Sequence, residues 1–466
     1  MYTQLLALCG YEPEEIEEQR PRIDRAFEKL GINEEDIKRG ESRIKQTYDV
    51  SLKGVRLLLG AWMKELVHLA LAGEEKRKII YGEWPGPANI ILMAAVHQAK
   101  DVYFGTPASQ VLNTTMGCIF DKLTPLLEAG EENGGLTPAG NHCAMFKTSI
   151  GAITTGIIPK PDLVCAPGWL CDQPAEYLQV LQEVYDIPVV YHDGCLDWQY
   201  GEWPNLGLRQ VKYSGASLRK VKQKIEEVAE IELSDEALNE GFRDLTGTYF
   251  NFQTIVEMMG KADPQPISQS NLELAYFTFY TVLQERSQAT KGMTVLIREI
   301  KQRIKEGKGI LPKGTPRVFC CMRFPVDHGM MRMIEDTGLN VCVCLADKML
   351  PGSLDNLRST DACELMIEAV YNLGGPLIDW CGIVGYETTV AEYYNVDGVI
   401  QGYPKACRLA SAPFLMRDKI SEKLDIPVLT LEYDGYDNRE YTAGQLKTRV
   451  ETFAEMLKMR KAAKAA

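Results

Sequence analysis

Short apolar runs alternate with amphipathic segments from residue 76 onward, and this alternation constrains the fold more than any other feature. The clearest unit is PDLVCAPGWLCDQPAEYLQVLQEVYDIPVVYHDG, residues 161–194. DLVCA and IPVVYHD have the apolar, β-branched character of buried strands, whereas the segment between them has helical periodicity. Two strands joined in this way by a helix form a parallel βαβ crossover.

A second series of alternating strands and helices follows ILPKGTP, which ends at residue 316. Because 466 residues exceed the usual size of a single core, we predict an α/β protein with two doubly wound parallel-sheet domains. The predicted division is a helical extension over 1–75, a first α/β domain over 76–208, a helical bridge over 209–310 and a second α/β domain over 311–466. Within the extension, Asn33 and Ser51 are predicted helix caps.

The net charge argues against some classes of partner. The formal charge is −13 and the sequence has no dense basic run, so binding to a nucleic-acid backbone is not expected. No segment has the roughly 18 apolar residues that a membrane helix needs, and the first residues do not resemble a secretion signal. We therefore expect a cytoplasmic protein with no membrane partner.

Thirteen cysteines occur in a chain without a predicted secretion signal, so a disulfide framework is not expected. Metal ligation or burial must explain them. Cys320 and Cys321 in RVFCC, and Cys342 and Cys344 in NVCVC, lie in apolar strands, where cysteine is commonly buried. These four are predicted core residues.

Three other cysteines share a different context: each lies in a loop with small residues or proline, just before a predicted helix. They are Cys143 in AGNHCAMFKTSIG, Cys171 in PGWLCDQP and Cys407 in QGYPKACRLASAP. The N–H groups at a helix N-terminus stabilise thiolates and net-negative metal clusters. No compact C-x₂-C-x₂-C run is present, so the spacing alone leaves ordinary burial open.

The C-terminal region adds a family resemblance. NVDGVIQGYPKACRLASAPFLMRDKISEKLDIPVLTLEYDGYDNREYTAGQLKTRVETFAEML resembles the closing domain of 2-hydroxyacyl-CoA dehydratase and benzoyl-CoA reductase subunits. EIKQRIKEGKGILP, NHCAMFKTSIG and the βαβ unit around Cys171 are similar to other segments of that family. The resemblance extends over roughly residues 76–460.

This resemblance implies two flavodoxin-like domains with a [4Fe–4S] cluster held between them by Cys143, Cys171 and Cys407. Three thiolates leave one iron without a protein ligand, and that iron can act as a Lewis acid on an acyl-CoA substrate. The family's chemistry uses one low-potential electron to form a ketyl radical, with a related second subunit and an ATP-dependent iron–sulfur activator protein as partners. EENGGLTPAGN lacks the G-x₄-G-K-[ST] order, so the ATPase is expected to be another protein.

Several alternatives stay open at this point. The same features fit a 2-hydroxyacyl-CoA dehydratase, which is a lyase, or a benzoyl-CoA reductase, which is an oxidoreductase. Relatives that hold a double-cubane cluster on six cysteines reduce small molecules, and Cys118, Cys165 and Cys195 keep that outcome open. A third alternative is a non-catalytic electron-relay or structural subunit.

Two further residues are candidates for proton transfer or positioning. His142, next to Cys143, could orient a proton transfer or bond to a cluster sulfide, although a loop histidine bonded to backbone is the commoner case. Glu83 is a candidate carboxylate by its location near the first βα loop, and no motif assigns it. Cys165 is an alternative to Cys171 as a ligand.

Overall fold

The structure is a computed structural model. It describes residues 2–465 apart from 84–85, 137–141, 169–172, 195–206, 322–326, 345–349, 356, 375–379, 404–406, 408–412, 438 and 440–441. Cys171 and Cys195 lie outside the described residues.

Four helices precede the first strand, as the sequence predicts for the extension. They are α1 (Thr3–Leu8), α2 (Pro13–Lys29), α3 (Glu34–Thr47) and α4 (Lys53–Glu75). Asn33 is confirmed as a cap: its side chain accepts bonds from the Glu35 and Asp36 N–H groups, and the Asp36 carboxylate accepts the Asn33 N–H. The prediction for Ser51 is wrong, because Leu52 stands at the N-cap of α4 while the Ser51 hydroxyl bonds to Asp49.

The first α/β domain contains a parallel sheet with the strand order β2-β1-β3-β4. Its elements are β1 (Lys78–Gly82), α5 (Ala88–Gln98), β2 (Val102–Gly105), a π-helix (Pro107–Ile119), α6 (Thr124–Gly134), α7 (Ala144–Thr154), β3 (Leu163–Pro167), α8 (Gln173–Tyr185) and β4 (Val189–His192). The predicted βαβ unit is confirmed, since β3 and β4 pair in parallel with Val164 opposite Val189.

Helices α9 (Leu208–Ala229), α10 (Asp235–Lys261), α11 (Gln269–Thr281) and α12 (Arg286–Glu306) connect the two sheets. In the bridge, α12 packs against α4 of the extension and α10 packs against α5 of the first domain. The same hydrophobic core therefore includes residues of the extension, the bridge and both sheets.

The second α/β domain contains a parallel sheet with the strand order β6-β5-β7-β8. Its elements are β5 (Arg317–Cys321), α13 (Gly329–Asp336), β6 (Asn340–Cys344), α14 (Ala362–Gly374), α15 (Trp380–Tyr393), β7 (Gly398–Tyr403), α16 (Pro413–Leu424), β8 (Val428–Glu432) and α17 (Ala443–Ala465). Both sheets repeat the order of the first four strands of a flavodoxin-like fold. The predicted fold class, with two parallel-sheet domains, is confirmed.

Every strand of the described residues lies within 76–208 or 311–466, while the predicted domain boundaries themselves stay predictions. In the part of the chain that the structure describes, no helix is long and apolar enough to cross a membrane. Ligand sites in open parallel sheets lie at the carboxyl ends of the strands, where the chain leaves β1 toward Glu83 and β7 toward Cys407.

Candidate functional site

Cys143 begins α7 and holds the N-cap position of that helix with extended backbone angles. Its carbonyl oxygen accepts the first helical bonds, from the N–H groups of Phe146 and Lys147. Its own N–H donates to the side-chain oxygen of Gln173 at 2.6 Å. Gln173 is the first residue of α8 and follows Cys171 by two positions. The start of α8 is thus bonded directly to the start of α7.

Cys407 follows β7 in the second domain and is partly buried. Tyr433 and Tyr436, in the loop after β8, are buried. Burial raises the pKa of Tyr433 well above its ordinary value, and the neighbouring thiols of Cys320, Cys407 and Cys321 raise it further.

Tyr436 connects the two domains at this place. Burial raises the pKa of the Tyr436 phenol most, and the next causes are the thiols of Cys143 and Cys407, followed by Asp434 and Cys118. One buried phenol therefore lies within electrostatic reach of a cysteine from each α/β domain. Of the three predicted ligands, Cys143 and Cys407 both influence the phenol of Tyr436, and Cys171 lies outside the described residues.

The donor set at Tyr436 fits an iron–sulfur cluster in its chemistry, because thiolates are the usual protein ligands of such clusters. Among the described residues no group of three or more His, Cys, Asp or Glu side chains is close enough together to hold a metal ion. The assignment of Cys143, Cys171 and Cys407 as ligands therefore stays a prediction.

The four strand cysteines predicted for the core are buried there: Cys320, Cys321, Cys342 and Cys344 are each at most 2% exposed. Two of them donate to buried carboxylates. The Cys321 thiol bonds to Glu387 at 3.0 Å, and the Cys344 thiol bonds to Glu273 at 3.2 Å.

Cys165 lies inside β3 and is buried. Successive strand side chains point to opposite faces of a sheet. Val164 and Ala166 belong to the hydrophobic cluster against which Cys143 packs, whereas Cys165 packs in the other cluster with Ile80. Cys165 and Cys143 therefore lie on opposite faces of the first sheet, and this position gives no support to Cys165 as a substitute for Cys171.

Cys118 is buried on the π-helix and interacts electrostatically with Tyr436. Its carbonyl oxygen accepts a bond from the Arg43 guanidinium at 2.9 Å. Of the two spare cysteines that the structure describes, Cys118 and Cys165, Cys118 therefore influences the same phenol as Cys143 and Cys407.

His142 is partly exposed at the start of α7, and its Nε2 lies 3.9 Å from the Glu176 carboxylate of α8. Its predicted role in proton transfer stays a prediction.

Glu83 is a buried carboxylate at the carboxyl end of β1. Its Oε1 accepts bonds from the hydroxyls of Ser149 at 3.0 Å and Tyr177 at 3.1 Å, and those two hydroxyls are 2.7 Å apart. Ser149 belongs to α7 and Tyr177 to α8, so Glu83 ties together the two helices that follow Cys143 and Cys171. Sequence reasoning missed both hydroxyls, although each lies six positions after one of those cysteines.

The fold and this site define a class: a protein with two flavodoxin-like sheets whose cysteines meet at a tyrosine between the domains. The sequence profile of the family described as "2-hydroxyglutaryl-CoA dehydratase, D-component" matches residues 115–457, which is more than half of the chain. The chain therefore belongs to this family, as the resemblance implied.

Three relatives with known names cover similar parts of the chain. The alpha subunit of (R)-2-hydroxyglutaryl-CoA dehydratase from Acidaminococcus fermentans is 20% identical over 328 residues, which are 69% of this chain and 65% of the relative. The (R)-2-hydroxyisocaproyl-CoA dehydratase alpha subunit of Clostridioides difficile is 17% identical over 68% of this chain and 78% of its own length. The (R)-phenyllactyl-CoA dehydratase alpha subunit of Clostridium sporogenes is 20% identical over 66% and 73%. The chain thus spans less than two thirds of the first of these relatives.

Proposed function

We propose that this chain is the iron–sulfur subunit of a 2-hydroxyacyl-CoA dehydratase. Its family membership and the names of its three relatives support the reaction class. The observation that supports the cluster is that the thiols of Cys143 and Cys407, one from each α/β domain, both act electrostatically on the buried phenol of Tyr436.

The proposed ligands of a [4Fe–4S] cluster are Cys143, Cys171 and Cys407. The bond between the Cys143 N–H and Gln173 supports this set, since it joins the start of α7 to the start of α8, the helix that follows Cys171 in the sequence. The carboxylate of Glu83, just after β1, is bonded to Ser149 of α7 and Tyr177 of α8 and so joins the same two helices.

The reaction requires unusual activation because the β-hydrogen of a 2-hydroxyacyl thioester is not acidic. Cys143, Cys171 and Cys407 would hold a [4Fe–4S] cluster, which would supply one low-potential electron to form a ketyl radical of the thioester and would take that electron back at the end. Loss of the α-hydroxyl group as hydroxide and of the β-hydrogen as a proton would then amount to the loss of one water. In this scheme His142 holds or moves a proton at its Nε2.

The proposal includes two protein partners. A related second subunit is supported by the naming of the relatives as alpha subunits. An ATP-dependent iron–sulfur activator would supply the electron, since the sequence has no P-loop order. The names of the relatives favour dehydration over reduction of an aromatic acyl-CoA.

An EPR titration separates this enzyme from an electron-relay subunit. The reduced, anaerobically purified protein is mixed with 2-hydroxyglutaryl-CoA, 2-hydroxyisocaproyl-CoA or phenyllactyl-CoA, and the matching 3-hydroxyacyl-CoA serves as the control. We expect one 2-hydroxy compound to change the cluster signal and its control to leave it unchanged. An EPR signal that none of the substrates changes would overturn the substrate-binding role and would favour an electron-relay subunit.

A further inference from the structure

The loop after β8 is fixed by its own hydrogen bonds. The carboxylate of Asp434 accepts bonds from the N–H groups of Tyr436 at 2.8 Å and Asp437 at 3.1 Å, which closes a tight turn. The turn fixes the buried Tyr436 and presents the Asp437 carboxylate to Arg439.

Arg439 makes ion pairs on both sides of the boundary between the domains. It forms a two-pronged pair with Asp437, with contacts of 2.8 Å and 2.6 Å. The same guanidinium donates to Glu131 at 2.7 Å, and Glu131 belongs to α6 of the first domain, 308 positions earlier in the chain. The side chain of Glu131 is 10% exposed and that of Asp437 is 2% exposed. Ordinary surface ion pairs contribute little, but breaking a pair this deep leaves a charge without its partner in a poorly solvated place.

Glu131 has a second cationic partner, the Lys147 ammonium, at 3.1 Å. The Lys147 side chain is 2% exposed, so this pair compensates a buried charge. Lys147 lies in the first turn of α7, and its N–H bonds to the carbonyl oxygen of Cys143 at 3.2 Å. A continuous path of bonds therefore runs from the second-domain loop through Arg439, Glu131 and Lys147 to the turn that carries Cys143.

We propose that Arg439 is a positioning residue, and that its pair with Glu131 clamps the loop of Tyr436 onto the first domain. The clamp joins the loop after β8, which carries Tyr436, to the turn that begins at Cys143. A role of the clamp in retaining a cluster rests on the proposed function. The ion pairs of the clamp themselves do not depend on bound iron.

The first arm of the test uses the metal-free, full-length protein and hydrogen exchange read by mass spectrometry. Removing a charged hydrogen bond should make the amides of the loop at 433–437 and of the start of α7 exchange roughly tenfold faster in R439Q and in E131Q. R439K, which keeps the charge, should restore most of the protection. R22Q is the matched control, because Arg22 pairs with Glu75 at 2.7 Å with similar exposure, far from the loop in sequence.

A double variant tests the pairing directly. Adding R439Q to E131Q should raise exchange by less than the two single effects combined, because the bond between these residues is already broken and only the pair of Arg439 with Asp437 is newly lost. Fully additive effects of the two changes, or unchanged exchange in R439Q, would overturn the clamp. If R439Q does not fold, E131Q and R439K still test the clamp, because exchange in R439K should be slower than exchange in E131Q.

The second arm measures iron release to a chelator from the loaded protein, together with its EPR signal. We expect R439Q to release iron roughly tenfold faster than wild type, with an altered signal, and R22Q to match wild type. If wild type holds a cluster and R439Q releases iron at the wild-type rate, the positioning role is wrong and the proposed function stands. If wild type holds no cluster, the proposed function fails while the exchange arm still decides the clamp.

Discussion

Helices α6 and α7 approach each other so closely that only glycine fits at their contact, and this sets up a prediction with a worked magnitude. A Cβ atom added at Gly151 of α7 would lie 1.9 Å from the carbonyl oxygen of Leu126, and one added at Gly130 of α6 would lie 2.0 Å from that of Lys147. Ordinary contacts begin near 3.4 Å. Because the clashing atoms are backbone atoms, the helices themselves must separate.

Gly151→Ala should therefore destabilise the protein. Overpacking against an unyielding backbone costs about 3 kcal/mol. Replacing a helical glycine by alanine returns about 1 kcal/mol of helix propensity, so the expected net loss is about 2 kcal/mol in the free energy of unfolding. The same movement displaces the start of α7, where Cys143 lies, so iron retention should fall as well.

Gly247→Ala is the matched control, because a Cβ at this exposed position of α10 meets nothing within 4 Å. The free energy of unfolding of this control should rise by about 0.4 to 1 kcal/mol. Urea unfolding of the metal-free variants, followed by circular dichroism, measures both changes. A Gly151→Ala variant as stable as wild type would refute the close-packing argument.

Two smaller effects also follow from single residues. Asn33→Ala should cost about 1 kcal/mol of unfolding free energy, because it removes the acceptor of the capping box on α3, and a loss near zero in urea unfolding would contradict that role. Burial lowers the pKa of His192 to about 4. Between pH 6.5, its ordinary pKa, and pH 4, the unfolded chain therefore binds a proton at this histidine and the folded protein does not. Stability should fall by up to about 1.4 kcal/mol per pH unit between these two pKa values, and His192→Gln should remove that part of the slope. Equal slopes for wild type and variant in thermal unfolding across this range would show that His192 is not responsible.

Local patterns predicted most of the fold. DLVCA and IPVVYHD correspond to β3 and β4 because short apolar runs bounded by glycine or a charged residue favour strands, although only β3 is buried along its whole length and β4 is a partly buried edge strand. Asn33 was recognisable because its cap needs only a neighbour three positions away. The strand cysteines were predicted to be buried for the same local reason.

The parts that escaped prediction depend on contacts over long distances or on geometry without a sequence signal. Nothing in PASQVLNTTMGCI indicates a π-helix, which differs from an α-helix only in the register of its hydrogen bonds. The pair of Arg439 with Glu131 joins residues 308 positions apart, and no periodicity encodes such a contact. Ser149 and Tyr177 are ordinary helix residues until the fold brings Glu83 between them.

Candidate ligands were accessible to sequence reasoning because three cysteines occupied similar loops before helices and belonged to recognisable family segments. Loop context distinguished Cys143 and Cys407 from the strand cysteines, and the structure brings both to Tyr436. The carboxylate Glu83 was named by location alone, since a buried carboxylate is defined by its partners and not by its neighbours in the chain.

Iron and acid-labile sulfide per chain, measured after anaerobic purification, test the central claim most directly. The account predicts about four of each in wild type, as a single cubane requires, and their loss in Cys143→Ala, Cys171→Ala and Cys407→Ala. Cys165→Ala, a buried cysteine on the opposite face of the sheet from Cys143, is the matched control and should keep the full complement. Iron retained in Cys143→Ala and Cys407→Ala, or a wild-type chain without iron, would contradict the account; about eight irons that depend on Cys118 would establish the double-cubane alternative instead.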